Sequence, residues 1–101
     1  MEPRTTGTSE PPAPVARFFL RGRLHVMPRR VADRELVLRY VASRMLPVHH
    51  PVTESELTAR LAGVTRDPVG LRRGLVDAGL VTRTRDGSEY WRTHVTEFDG
   101  L

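Results

Sequence analysis

Leu71, Leu75 and Ala78 recur at i, i+4 and i+7, a spacing that lays one apolar stripe along a helix and leaves Val69, Arg73 and Val76 on the opposite side, with Arg72 at the flank. Asp67 stands where a side chain accepts a hydrogen bond from a first-turn amide. Pro68, with its fixed φ and missing N–H, suits the first helical position. Gly79 follows the last periodic residue and suits a left-handed cap, after which Leu80 and Val81 open a strand. The pair Asp86-Gly87 between VTRT and SEYWR predicts a tight hairpin with positive φ at both turn positions, which would project Arg83 and Arg85 from the strand entering the turn.

Upstream, Thr53 and Glu56 have capping-box spacing, and Leu57 and Leu61 form an i, i+4 pair ending at Gly63, which predicts a short second helix. The connection AGVTR to Asp67 is somewhat longer than a tight helix-turn-helix turn. Val37, Leu38, Val41 and Met45 predict a helix over Asp33 to Met45, stopped by Pro47. Phe18, Leu20, Leu24 and Val26 alternate around Gly22 and stop at Pro28, which suits a short strand or hairpin able to pair with the C-terminal one. Three helices followed by a hairpin predict a mainly α fold with a small β-hairpin, the winged helix-turn-helix, in which the helix from Asp67 enters the major groove and the hairpin is the wing.

The chain has 101 residues, 39% of them hydrophobic, and no cysteine, which supports one small domain without a disulfide scaffold. Residues 1–14 are rich in Pro and Thr and hold no apolar run of signal-peptide or membrane-span type. The expected organisation is a disordered tail over 1–14, a winged-helix-like domain over 15–95 and a short C-terminal tail over 96–101, in a cytoplasmic protein. All 16 basic residues are Arg, and Ile and Asn are missing along with Lys. Those three use A/T-rich codons, so a G+C-rich bacterial genome explains the composition better than guanidinium chemistry does. The charge is uneven: eight Arg against Asp33 and Glu35 give +6 between Arg17 and Val52, whereas seven Arg against eight acids give −1 from Thr53 to Leu101. The basic surplus therefore lies outside the expected recognition helix, and Arg66 to Arg92 alone carries only +2.

The succession FFLRGRLHVMP, LVLRYVASR, TESEL and LRRGLVDAGLVTRTRDGSEYWR resembles the prokaryotic family known as domain of unknown function twenty eighty-seven, over about Phe18 to Arg92. The last motif is the specific part of the likeness. Domains of this family occur alone and behind ArsR-like winged helices, so the resemblance implies a transcription regulator and no established chemistry. Val52 stands where the family usually has an aromatic, and Thr58 where it has Asn. No catalytic or ligand residue carries over.

The expected contacts to double-stranded DNA are Arg66, Val69, Arg72, Arg73, Arg83, Arg85 and Arg92. Plainer roles stand beside these: Arg72 and Arg73 as a solvated helix face, Arg72 paired with an acid such as Asp77, and Arg83 and Arg85 as ordinary edge-strand charges, while one of Tyr90 and Trp91 is expected as core. His49 and His50 are adjacent and flanked by Pro47 and Pro51, which favours a loop over a metal site; neither metal nor cofactor is expected. Ser43, Ser55 and Ser88 lack a nucleophile-elbow context, and Glu54 and Glu56 suit a helix N-terminus, so no enzyme is expected. Two other readings use the same fold: a protein-interaction module, with a partner protein or a second copy on exposed Val69 and Val76, and a small RNA-binding domain.

Overall fold

A computed structural model describes residues 11–100 of the chain, in which four helices and two small antiparallel sheets surround one apolar core. The one-turn α1 (Ala13–Ala16) begins behind Pro12 and buries Val15. Of the segment expected as a tail, Ala13 and Pro14 belong to this helix; residues 1–10 lie outside the described residues. β1 (Phe19–Leu20) and β2 (Arg23–Leu24) form a hairpin whose two turn residues, Arg21 and Gly22, both have positive φ. That is the left-handed pair a two-residue hairpin loop needs.

α2 (Val31–Met45) starts two residues before the expected Asp33, which sits in its first turn while Arg44 closes the last, both favourable to the helix dipole. It buries Val37, Leu38, Tyr40, Val41 and Ala42. β3 (Val52–Thr53) leads into α3 (Glu54–Ala62), where the capping box forms as its spacing requires: Glu56 N–H donates to Thr53 Oγ1 at 3.0 Å and Thr53 N–H to Glu56 Oε1 at 2.8 Å. α4 (Pro68–Asp77) packs mainly on α3, and α2 contacts both.

β4 (Thr82–Arg83) and β5 (Glu89–Trp91) complete a three-stranded sheet in the order β3-β5-β4, with Val52 opposite Tyr90 and Arg83 opposite Tyr90 on the other side. This corrects one expectation. The Phe18–Val26 hairpin closes on itself, its Leu24 N–H donating to Val64 O at 2.7 Å, and the partner of the C-terminal hairpin is the strand Val52–Thr53. The core joins Leu24, Val37, Leu38, Leu57, Leu61, Leu71, Leu75, Val81 and Tyr90 with Phe98. Thr96 to Gly100, expected as a tail, therefore contributes to the core through Phe98. Among the described residues no helix is long and apolar enough to cross a membrane.

Candidate nucleic-acid interface

α4 is fixed at both ends by side-chain and backbone bonds. Gly70 N–H donates to Asp67 Oδ1 at 3.0 Å, and a Cβ on Gly70 would lie 2.1 Å from Asp67 Oδ2, so the capping carboxylate occupies the space a side chain would need. At the other end Gly79 has φ +78°, its N–H donates to Val76 O, and Leu80 N–H donates to Leu75 O. These two bonds make a Schellman motif that brings Leu80 over Leu75. Leu71 and Leu75 of the expected stripe are buried, joined by Gly74, whereas Ala78 is exposed and Val76, expected on the open side, packs against the core. The open face of α4 presents Arg73 and Val69, the latter 39% exposed, with Arg66 exposed just before the cap.

Two of the expected DNA contacts are taken up inside the protein. Arg72 is only 14% exposed; its Nη1 donates to Thr58 Oγ1 at 2.7 Å, its Nη2 lies 3.6 Å from Glu54 Oε2, and its guanidinium lies over the Tyr90 ring at 5.5 Å. Tyr90 OH donates to the same Glu54 Oε2 at 3.3 Å. The acid Arg72 meets is therefore Glu54 on α3, not Asp77, and the cluster sets α4 against α3 and β5. Thr58, short as it is, fills the acceptor position from α3.

Arg92 is 2% exposed and forms a bidentate pair with Asp99, both bonds 2.8 Å, while its Nε donates to Leu46 O at 2.9 Å. A guanidinium so enclosed offers nothing to a duplex, which removes Arg92 from the interface. The Arg92 hydrogen bonds, helped by the Thr96 N–H, hold the Asp99 carboxyl down at about 2. Leu46 for Arg92, and Thr58 and Glu54 for Arg72, lie on other elements, Asp99 lies beyond the strand, and only Glu54 had any local signal, as a helix-start acid.

The hairpin loop differs from the expected two-residue turn. Among the described residues only Gly87 of the pair has positive φ, at +76°, and four residues separate Thr84 from Glu89 across the closing bond Thr84 N–H to Glu89 O. Asp86 supplies the order: its Oδ1 accepts from Thr84 Oγ1, Ser88 N–H and Ser88 Oγ at 2.8, 3.0 and 2.8 Å. The same bonds, Thr84's first, lower its pKa. Arg83 folds back, its Nη1 3.3 Å from Thr84 O and 3.4 Å from where a Gly87 Cβ would stand. Arg85 stays exposed on the loop without a bond from its guanidinium among the described residues.

Arg66 thus stands exposed before α4, Val69 and Arg73 on it, and Arg83 and Arg85 on the hairpin that follows through Leu80 and Val81. His49 lies in a loop with φ +64°, its N–H donating to Arg92 O at 2.7 Å, and His50 is exposed beside it. Among the described residues no group of three or more His, Asp or Glu is placed to hold a metal ion.

A family model matches residues 23–92, most of the chain, and the protein belongs to that family, described as an uncharacterized protein conserved in bacteria (DUF2087). No curated protein and no solved structure matches the chain. The matched span runs from β2 through β5 and ends on Arg92, so the carboxylate that neutralises Arg92 lies seven residues beyond it.

Proposed function

We propose that this protein is a small bacterial transcription regulator that binds double-stranded DNA through a winged helix-turn-helix, with α4 in the major groove and the β4–β5 loop on the backbone. The element order supports the reading: a helix, a short strand, two helices and a hairpin whose second strand pairs with that first strand. The observation that carries it is the outer face of α4, where Arg73 and Val69 stand clear of the core, with Arg85 exposed on the loop of the hairpin that follows. Arg73 suits a base edge, while Arg66, Arg83 and Arg85 suit phosphates.

The test is a mobility shift on mixed-sequence duplex at low and at moderate salt. Affinity that falls steeply with salt, and that Arg73→Ala reduces while the protein stays folded, supports the assignment. A folded protein with no duplex affinity at low salt would leave the outer face of α4, with Val69 exposed, as a surface for a protein partner.

A further inference from the structure

On the flank of α4 away from Arg72, a cleft of about 590 Å³ opens between the β1–β2 hairpin, the first half of α2 and α4 itself. Its volume falls within the roughly 300 to 1,000 Å³ typical of small-molecule sites. Two glycines of α4, Gly70 and Gly74, form part of its wall. At Gly70 the Asp67 carboxylate occupies the space a Cβ would take, and Gly74 presents bare backbone to the cleft. Gly74 is buried, and a Cβ there would meet Arg34 Nη2 at 3.4 Å, so the guanidinium of Arg34 already reaches across from α2 to the glycine flank.

The lining divides into two chemistries. Leu24, Met27 and Leu71 supply apolar surface, and Arg23, Arg34 and Arg66 bring positive charge from three separate segments. The one acid in the lining, Asp67, accepts from Gly70 N–H. Arg23 spends one nitrogen on Ala62 O and Gly63 O, closing the end of α3. Among the described residues Arg34 and Arg66 pair with no carboxylate. Apolar surface bordered by two cations without such a partner matches a ligand with an anionic head and a hydrocarbon body.

We propose that this cleft binds a small amphipathic carboxylate, its head on Arg34 and Arg66 and its chain against Leu24, Met27 and Leu71. The site goes beyond the DNA-binding reading and stands without it. Because the ligand would touch α4 directly, occupancy would also bear on whatever that helix contacts.

Calorimetric titration of the full chain, without DNA, tests the site with octanoate as the probe and with octanol and inorganic phosphate as the two halves of its chemistry. One octanoate is expected per chain, with octanol and phosphate each at least roughly tenfold weaker. Arg34→Ala and Arg66→Ala should each weaken octanoate by roughly three- to tenfold while thermal melts show both variants folded, and Arg85→Ala, on the opposite hairpin, should leave it unchanged. Octanol binding as well as octanoate, phosphate binding as well as octanoate, or octanoate binding unaffected in both arginine variants would each overturn the proposal. So would an absence of saturable octanoate binding. None of these outcomes depends on duplex affinity, so the two readings fail separately.

Discussion

Arg72 and Arg73 are neighbours in sequence with opposite surroundings. Removing the Arg72 guanidinium leaves Thr58 and Glu54 short of a partner and the Tyr90 ring without its cation, so Arg72→Ala should destabilise the fold by about 1 to 3 kcal/mol in urea denaturation. Arg73→Ala should change stability by no more than about half a kcal/mol, and in the proposed complex should weaken duplex binding by about 1 to 3 kcal/mol. Equal destabilisation by both would contradict this division. At Asp99 the carboxyl ionises lower in the folded protein, about 2 against 3.8, because Arg92 donates to it. A lowered folded-state pKa gives stability that is complete above 3.8 and is lost as pH falls through that value toward 2. Its side chain is 23% exposed, so screening reduces the effect to about 1 kcal/mol. The difference in stability between the protein and Asp99→Asn, followed by acid titration, should shrink over that window; a constant difference would show that the pair does not titrate as placed.

At the level of elements, the end of a helix can be dissected where cap and propensity compete. Gly70→Ala should remove an Asp67 cap worth about 1 kcal/mol and gain about 1 kcal/mol of helix propensity, leaving stability nearly unchanged. In an Asp67→Ala background only the gain remains. There Gly70→Ala should stabilise by roughly 0.5 to 1 kcal/mol, and a cost in both backgrounds would place the clash with backbone instead. The elements legible in the sequence are those specified locally. Thr53 with Glu56, Asp67-Pro68 and Gly79 mark helix ends within three residues of the bonds they make, and α3 and α4 begin and end close to those marks. β3 was not legible, because two residues after Pro51 become a strand only by pairing with β5. The hairpin loop deceived for a related reason: Asp86 is held by Thr84 and Ser88 in a longer loop, and these side-chain bonds outweigh the preference of the dipeptide. On that loop Arg85→Ala should lower the slope of log affinity against log salt by roughly one if it holds a phosphate, equally for every duplex sequence.

At the scale of the whole molecule, an aromatic chain ties the two ends together. Phe19 of β1 and Phe98 near the C-terminus meet Tyr40 of α2 edge-on, with centroids 5.3 and 5.5 Å apart, and burial among them raises the Tyr40 pKa. Arg39, one residue before Tyr40, binds Glu97 at 2.9 Å, so the last turn is anchored by apolar and ionic contacts at once. Nothing in the periodicity of residues 96–100 announces this, since one Phe in a short polar run has no pattern to read. The fate of Arg92 was hidden for the same reason: its environment is made by Leu46 and Asp99, neither of which its own strand specifies. Two changes separate the contributions. Phe98→Ala should cost about 3 kcal/mol, near the lower end for a buried aromatic, which in a domain of this size lowers the melting midpoint by roughly 10 °C or more. Deleting residues 96–101 should cost more than that, because it also strips Asp99 from an arginine that is 2% exposed and leaves a buried cation with backbone carbonyls alone. Arg92→Met in the truncated chain should then recover part of the loss by replacing the orphaned charge with an apolar side chain. If truncation proved no worse than Phe98→Ala and Arg92→Met restored nothing, Arg92 would have to reach solvent once its partner is gone, and its place inside the fold would be a consequence of the C-terminal turn alone.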